Sequence, residues 1–349
     1  MTIRQLDPAD AVAMGQWYEL AVAVARYDVP DFPTPSRREH LAREDPALLA
    51  WDGDRVVGAA SYQLPQSENL RLMYLDLIVH PQYRRRGIGT RLLEEVYATA
   101  RQHQRSLFEV ETVRALPGGV ARDEAGYRYL TNRSHQPGAT SIRSRCHIAD
   151  PPEGEATPAD GYSLVQWRDV APDDIVDDVA ALQSRLMLDS PTGDLAVEQQ
   201  VYDAARVRRQ EADELRRGYR SYSTAARHDA TGQIVARTKL AFESDDDTHA
   251  RQRITIVEPA HRGRRLGLIV KSANHAYTQA NEPALRFIDA WNAEDNTHSA
   301  QSTQHSASSL WTAGRSSSYR CRPRKRIVSG TRGCSGLGWR SGGAPIPLR

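Results

Sequence analysis

The spacing of apolar residues along the chain changes between the period of a helix and that of a strand. A short strand at the start is followed by an amphipathic helix, whose apolar face consists of Val12, Met14, Trp17, Leu20 and Val24. Two strands then flank the hairpin signal Asp52-Gly53-Asp54, and a third strand, "RLMYLDLIVHP", ends at Pro81. A helix over about 89–104 and the strand "SLFEVETV" complete the series. This order predicts a mixed α/β domain, of the α+β kind with a mixed sheet.

The same order of elements recurs after residues 149–161, whose Pro, Gly and acidic residues have the composition of an exposed linker. The second series has a strand, a helix, an added helical stretch over 196–218, a hairpin centred on Thr231-Gly232, and then a strand, turn, helix and strand. Aligning "IVHPQYRRRGIG" with "IVEPAHRGRRLG" pairs Val79 with Val257 and Gly89 with Gly267. Such a repeat of a whole domain predicts a first domain over 1–148 and a second over 162–298.

The turn after the third strand is rich in arginine and glycine at the start of a helix. Its sequence from residue 84 to residue 89 is Arg-Arg-Arg-Gly-Ile-Gly. The first N–H groups of a helix have no intrahelical partner, and glycine lets the backbone approach a ligand closely. With the partial positive charge of the helix start and the full charges of the arginines, this predicts an anion site suited to phosphate. The alternative is an ordinary strand-to-helix turn with a solvated basic face.

The turn has neither the Gly-Lys-Ser/Thr of a Walker loop nor the third glycine of a dinucleotide fingerprint. Its pattern, Val-x-Pro-x-x-Arg-x-x-Gly-x-Gly from Val79 to Gly89, resembles the acetyl-CoA loop of the GNAT superfamily of acetyltransferases. The resemblance implies that the loop amides hold the pyrophosphate of coenzyme A, and that the preceding strand splays from its neighbour and binds the pantetheine. It assigns cofactor binding to Leu77, Val79, Arg84, Arg85, Arg86, Gly87, Ile88, Gly89 and Thr90.

The resemblance covers both halves, and the duplicated layout resembles tandem enzymes of the mycothiol synthase type. In the second half Arg265 stands in place of the first glycine, so we predict a degenerate copy there. The matching cofactor residues of the second half are Val257, Arg262, Gly263 and Gly267. The resemblance implies acetyl-CoA as co-substrate and no metal.

Acetyl transfer to an amine needs a base that takes the ammonium proton and an acid that returns a proton to the thiolate. The resemblance makes Asp76, three residues before Val79 on the strand beside the thioester, the candidate base. The alternative is an aspartate that simply faces solvent, because the strand alternates Tyr74, Asp76 and Ile78. His80 is a weaker candidate for the base.

The acid is expected from a helix followed by Gly-Phe, and Ser134-His135 stands where Gly-Phe would be. Leu130 then takes the usual tyrosine position, which makes its neighbour Tyr129 the candidate acid and Tyr127 the alternative. Both tyrosines could instead be core aromatics. The resemblance implies acetyl-CoA-dependent N-acetylation of a small-molecule amine; the alternative is a non-catalytic acyl-CoA-binding or regulatory module.

The net charge is +2, but charge is unevenly distributed along the chain. After Asp295 the sequence has no acidic residue and nine basic ones, and the remainder has 37 basic against 44 acidic residues. This balance argues against nucleic-acid binding by the body of the protein. The three cysteines lack a metal-ligand spacing, and the chain has neither a signal-peptide pattern nor an apolar run of membrane-spanning length. We therefore expect a cytoplasmic protein that does not enter a membrane.

Residues 299–349 depart from the family pattern and are predicted to form a disordered basic tail. The resemblance leads us to expect a helix with Met, then Val-Asn, then Leu-Gly-Phe and a last strand. Codons compatible with residues 299–315, shifted by one base, read Met-Arg-Ala-Val-Asn-Thr-Ala-Leu-Gly-Phe-Val-Pro-Val-Asp-Arg-Trp-Thr. We hypothesise a one-base deletion near the codon after His298, which would leave the second domain without its last helix and strand. The alternative is a genuine Arg-rich arm that binds nucleic acid.

Overall fold

The computed structural model describes residues 1–116, 119–133, 137–148, 158–189, 198–293 and 313–321. Helices cover both faces of a mixed sheet, which confirms the predicted α/β class. The strands of the first half are β1 (Thr2–Gln5), β2 (Ala47–Asp52), β3 (Arg55–Gln63), β4 (Leu72–Val79), β5 (Leu107–Ala115) and β6 (Pro137–His147). Its helices are α1 (Ala11–Asp28), α2 (Arg37–Leu41), α3 (Ile88–Gln102) and α4 (Ala125–Thr131).

The second half repeats this order. Its strands are β7 (Tyr162–Arg168), β8 (Arg220–His228), β9 (Ile234–Phe242), β10 (His249–Val257), β11 (Phe287–Ala293) and β12 (Ala313–Cys321). Its helices are α5 (Val176–Asp189), α6 (Ala204–Arg216) and α7 (Leu266–Asn281). The added helical stretch, predicted to begin near residue 196, starts only at Ala204, because the Asp203 carboxylate caps it by accepting a hydrogen bond from Arg206 N at 2.6 Å.

The two halves share one twelve-stranded sheet and exchange their last strands. The strand order is β1-β2-β3-β4-β5-β12-β6-β11-β10-β9-β8-β7. Strand β12, from the second half, pairs antiparallel with β5 and β6, while β6, from the first half, pairs antiparallel with β11. The domain boundaries predicted from sequence therefore do not separate two independent sheets.

The position of β12 corrects the prediction for the end of the chain. Residues 313–321 form a strand in the middle of the sheet, although the whole of 299–349 was expected to be a disordered tail and the second domain was expected to lack its last strand. A place between two open strand edges supplies backbone hydrogen bonds on both sides, and such pairing does not depend on side-chain pattern. The linker at 149–157, the expected last helix and residues 322–349 lie outside the described residues.

Each half has apolar cores on both faces of its sheet. In the first half Met73 and Leu75 of β4 pack with Leu92 and Val96 of α3, while the opposite face packs against Trp17 of α1. In the second half, one core lies under α5 and another under α7. None of the helices in the described ranges is long and apolar enough to cross a membrane.

Polar contacts join the halves where α2 and the loops of the first half meet the second. Ser36 Oγ donates to Asp245 Oδ1 at 2.7 Å, and the guanidinium of Arg206 lies 2.7 Å from Glu68. Arg143 of β6, which is 1% exposed, bridges Asp31 at 2.7 Å and Asp289 of β11 at 2.5 Å. A buried arginine held by carboxylates from both halves fixes how the exchanged strands meet.

Candidate functional site

The parallel strands β4 and β5 separate partway along their length. They pair only from Leu72 with Leu107 to Tyr74 with Glu109, although β4 continues to Val79. On its other edge β4 remains paired with β3 as far as Val79. Beyond Tyr74, the backbone groups of β4 that face the gap have no β5 partner in the described pairing. An extended ligand can bind to them as an added strand would.

The loop that follows β4 closes one end of this gap. Gly87, with φ of +79°, is the residue before α3, and no side chain caps the helix there. Arg85 also has a left-handed backbone, with φ of +64°. A Cβ added at Gly89 would lie 3.5 Å from Leu77 and 3.6 Å from Val79, so glycine lets the helix start close to the strand. The free N–H groups of the first turn of α3 are therefore directed towards the gap.

A cavity of about 380 Å³ connects the gap with this helix start. Eight of the nine first-half cofactor residues predicted from sequence line it: Leu77, Val79, Arg84, Arg85, Gly87, Ile88, Gly89 and Thr90. Arg86 does not line it, because its guanidinium donates to Gln82 O at 3.2 Å and lies 5.0 Å from the ring of Tyr83. The structure therefore brings the predicted set together except for this one arginine.

Arg84 lies at the cavity, but its charge is already neutralised. Its Nε donates to Val79 O at 3.0 Å, and its terminal nitrogens contact Asp28 at 2.7 Å and Asp123 at 2.7 Å. Sequence reasoning assigned this arginine a free charge for an anion. In the structure it instead ties the loop to α1 and to the segment before α4, because two carboxylates share one guanidinium.

Arg133 is a cavity residue that sequence reasoning missed. It follows α4, four residues after Tyr129, and donates to Tyr129 O and to Thr90 Oγ1, each at 3.2 Å. Its guanidinium also lies 3.7 Å from the centre of the Tyr129 ring. Arg85 and Arg133 therefore place cations on the cavity wall near the start of α3. The helical spacing of Tyr129 and Arg133 was the available signal, since residues four apart are neighbours on one helix face.

The candidate acid Tyr129 lines the cavity from α4. Its hydroxyl lies 3.3 Å from Thr90 Oγ1. Leu130, at the position where the family carries tyrosine, is 5% exposed and also lines the cavity. Tyr127 instead packs beneath the guanidinium of Arg114 at 4.1 Å. Ser134 and His135 lie outside the described residues.

The candidate base Asp76 lies on the other face of β4 from Leu75 and Leu77, which line the cavity. Its side chain is accessible to solvent. Although the residue as a whole is exposed, burial of its carboxyl group raises the pKa of Asp76; Arg43 opposes this rise, and the carboxylates of Glu39 and Asp45 add to it. A carboxylate with a raised pKa is a stronger proton acceptor than an ordinary aspartate.

Glu111 of β5 lines the cavity across the gap from β4 and was not singled out from sequence. The strand "SLFEVETV" alternates glutamate and apolar residues, which shows that a carboxylate faces one side of β5. The alternation does not show that β5 separates from β4 at the level of Glu111. Tertiary structure alone brings the carboxylate to the gap.

The second half has the same loop geometry. Strands β10 and β11 pair only from His249 with Phe287 to Arg251 with Asp289. Arg262 Nε donates to Val257 O at 3.1 Å, as Arg84 does to Val79 O.

Arg265 replaces the first glycine of the motif, but this replacement does not change the fold of the second turn. Arg265 has φ of +59° and Gly263 has φ of +79°. The first turn has left-handed residues at the same two positions, Arg85 and Gly87. Glycine thus takes the second of the two positions in the first turn and the first of them in the second turn. A Cβ at Gly267 would lie 3.5 Å from Val257, which reproduces the close approach of the first helix start.

The described residues contain no group of three His, Cys, Asp or Glu side chains that could hold a metal ion. Cys146 is a buried free thiol, and burial raises its pKa to about 11.

Comparison with known proteins identifies relatives of this arrangement. Residues 14–116 match the model of the acetyltransferase (GNAT) family. A tandem GNAT protein from the clavulanic acid biosynthesis pathway is 26% identical, with a TM-score of 0.80, over 93% of this chain and 99% of that one. No curated protein sequence matches the chain significantly.

More distant structures share the fold. A GCN5-related N-acetyltransferase from Sphaerobacter thermophilus is 16% identical with a TM-score of 0.61, over 94% of this chain and 98% of its own. A putative acetyltransferase from Pyrococcus horikoshii is 15% identical with a TM-score of 0.54, over 93% of this chain and 89% of that one. The first half thus contains a GNAT acetyltransferase domain, and the chain as a whole has the fold of a tandem GNAT protein.

Proposed function

We propose that the protein is an N-acetyltransferase that uses acetyl-CoA bound in the first half to acetylate a small-molecule amine. The observation that carries the proposal is the continuous cavity from the β4–β5 gap to the start of α3. Its volume of about 380 Å³ lies within the range of about 300–1,000 Å³ typical of small-molecule sites. The proposal places the protein in the cytoplasm, where acetyl-CoA would be available as substrate.

In this proposal the helix start binds the pyrophosphate of the co-substrate. The N–H groups of the first turn of α3 would donate to the phosphate oxygens, and Arg85 and Arg133 would add positive charge. The unpaired edge of β4 would bind the amides of the pantetheine, which directs the thioester into the gap beside Glu111. Both ends of an extended ligand are then held by backbone groups that are already in position.

The reaction requires one proton to leave and one to be supplied. The charge of Glu111 attracts the ammonium of the acceptor, and Asp76, on the opposite face of β4, takes its proton through bridging water. The free amine attacks the thioester carbonyl carbon, the C–S bond breaks, and the thiolate takes a proton from the Tyr129 hydroxyl. The extra proton on the new amide nitrogen then passes to the Tyr129 oxygen, directly or through water, which restores the hydroxyl. Asp76 then releases its proton to solvent, which completes the cycle.

The test is release of coenzyme A thiol from acetyl-CoA across a panel of small amines, run alongside calorimetric titration of acetyl-CoA. Amine-dependent thiol release with stoichiometric N-acetylated product supports the proposal. Saturable binding without turnover of any amine would instead favour the non-catalytic acyl-CoA-binding module. Absence of binding would refute both functions.

We also retain the hypothesis that the sequence after His298 is read out of frame. Strand β12 lies between two other strands of the sheet, and strands flanked on both sides are usually rich in β-branched and aromatic residues. Its sequence, "AGRSSSYRC", is mostly small and polar. Sequencing the gene across codons 290–325 tests this hypothesis: codons that cannot give Val-Asn-x-x-Leu-Gly-Phe after a one-base insertion would refute it.

A further inference from the structure

Three side chains on the wall of the cavity join the first turn of α3 to α4, namely Thr90, Tyr129 and Arg133. Tyr129 Oη lies 3.3 Å from Thr90 Oγ1, and Arg133 Nη2 donates to the same Oγ1 at 3.2 Å. Arg133 also donates to Tyr129 O at 3.2 Å, and its guanidinium lies 3.7 Å from the centre of the Tyr129 ring. The proposed acid is therefore held at its hydroxyl and across its ring.

The chemistry of these groups sets the direction of two hydrogen bonds. A guanidinium has donors and no acceptor, so Thr90 Oγ1 accepts from Arg133 and keeps its own proton for a second partner. Tyr129 can give its proton to sulfur only if that proton is not donated to Thr90. The phenolate that remains can only accept. Both before and after the proton transfer, the contact between the two hydroxyl groups therefore requires Thr90 to be the donor.

The negative charge of the phenolate then meets one donor and one cation. Thr90 Oγ1 donates to the phenolate oxygen, and the guanidinium of Arg133 lies over the ring into which the charge is delocalised. Groups that are already in place where charge develops stabilise the transition state more than groups that must first reorganise. This arrangement favours proton release by Tyr129.

Helix α3 also contains a reference pair of the same chemistry. Thr99 forms a hydrogen bond with Tyr62 and donates to Glu95 O at 3.1 Å. Tyr62 is 7% exposed and belongs to the apolar core of the first half, and the residues that line the cavity do not include it. The pair of Thr99 and Tyr62 therefore shows what a purely structural contact between threonine and tyrosine contributes.

We propose that Thr90 and Arg133 are positioning residues for Tyr129. Thr90 donates to the phenol oxygen and so directs the phenolic proton to the sulfur of coenzyme A, while Arg133 stabilises the phenolate that forms. The inference rests on the proposed acetyltransfer. Because Thr90 belongs to the first turn of α3, the helix start that binds the pyrophosphate also orients the acid.

The kinetic test compares Thr90→Val, Thr90→Ser and Thr99→Val with the wild-type protein. Valine removes the hydroxyl and keeps the shape, so Thr90→Val should lower kcat by about 10-fold or more and change KM for acetyl-CoA by less than about 3-fold. Thr90→Ser keeps the donor and should restore most of kcat. Thr99→Val is the matched control and should keep the wild-type kcat. A raised KM with unchanged kcat in Thr90→Val would overturn the proposal, because Thr90 would then be a binding residue only.

A second background separates positioning from a loss of packing. Tyr129→Phe lacks the phenol oxygen, so adding Thr90→Val to it should lower kcat no further. A further loss as large as in the wild-type background would overturn the proposal, because Thr90 would then act elsewhere. Arg133→Gln should lower kcat and Arg133→Lys should restore part of it, whereas Arg101→Gln, at an exposed position of α3, should not change kcat. A wild-type kcat in Arg133→Gln would exclude the role of Arg133.

A measurement without turnover distinguishes failure of this proposal from failure of the proposed function. In the protein labelled with ¹³C at tyrosine Cζ, the NMR signal that is absent from Tyr129→Phe belongs to Tyr129. Its chemical shift responds to hydrogen bonding at the phenol oxygen, so Thr90→Val should move it and Thr99→Val should not. This result without turnover of any amine would support the arrangement and refute acetyltransfer. An unmoved signal in Thr90→Val would overturn the proposal even if amines are acetylated.

Discussion

At the scale of single residues, Asp76 links catalysis to pH. Burial of its carboxyl group raises its pKa, so in the folded state the carboxyl is protonated over a pH range in which the unfolded chain is already ionised. Catalysis by the carboxylate should therefore decline as pH falls through this raised pKa. The acid limb of kcat/KM should lie above the range of an ordinary aspartate, and Asp76→Asn should lower kcat by about 10²-fold or more. An acid limb unchanged in Asp76→Asn would contradict this role.

The same raised pKa predicts an effect on stability with a definite sign. The folded state holds the Asp76 proton more tightly than the unfolded state, so stability falls as pH rises through the raised pKa. Asparagine cannot ionise, so the Asp76→Asn variant does not lose this stability as pH rises. The variant should therefore be more stable than the wild-type protein at neutral pH and equally stable below the unfolded pKa, as measured by urea unfolding at both pH values. Lower stability of the variant at neutral pH would contradict the shift.

Glu111 should affect acceptor binding rather than the chemical step. Glu111→Gln removes the charge that attracts the ammonium, so KM for the amine should rise about 10-fold, the equivalent of about 1.4 kcal/mol. The dissociation constant of acetyl-CoA should change little, because that ligand is held mainly by backbone groups. Steady-state kinetics and calorimetry separate the two quantities. An unchanged KM for the amine would exclude this role.

Sequence could identify the loop residues but not their charge state. Nearly every predicted cofactor residue of the first half lines the cavity, because the motif fixes a local turn. The neutralisation of Arg84 depends on Asp28 and Asp123, which lie 56 and 39 residues away in the chain. Such partners become neighbours only in the folded protein.

At the scale of elements, the two strand-to-helix turns predict a stability difference. Arg265 adopts a left-handed backbone that costs a non-glycine residue about 1–2 kcal/mol. Arg265→Gly should therefore raise the unfolding free energy by up to about 1 kcal/mol, since glycine also gains entropy in the unfolded chain. Arg209→Gly, in the interior of α6, should lower it by about 1 kcal/mol. An equal decrease of the unfolding free energy in both variants, measured by urea unfolding, would contradict the left-handed backbone of Arg265.

Most helices and strands could be predicted from the hydrophobic pattern of the sequence. The hairpins and both helix starts after the loops lie where periodicity and turn residues predicted them. The pattern could not show that β4 and β5 diverge, nor where α6 begins, because these depend on tertiary contacts and on the Asp203 cap. Periodicity reports which face of an element is buried but not what lies opposite.

At the scale of the whole molecule, the exchange of strands makes the halves mutually dependent. Strand β12 covers edges of β5 and β6, so a chain that ends at residue 312 should expose both edges. We expect this chain to melt at a lower temperature and to aggregate, while a chain that ends at residue 321 behaves as the full chain does. Scanning calorimetry and light scattering measure both properties. Equal stability of the two truncated chains would contradict the exchange.

The duplication was evident in the sequence, whereas the exchange was not. Two copies of a loop motif predict two copies of a fold, but either last strand could complete its own sheet or its neighbour's. The choice is made by contacts between the halves, among them Arg143 with Asp31 and Asp289.

The central claim is that acetyl-CoA binds in the first half at the start of α3. Calorimetric titration of acetyl-CoA into the wild-type protein, Gly87→Val and Gly53→Val tests it most directly. Both glycines have left-handed backbones with open space around the missing Cβ, so both variants should lose similar stability. We predict that Gly87→Val loses measurable binding at the first-half site while Gly53→Val binds as the wild-type protein does. Unchanged binding in Gly87→Val would contradict the claim.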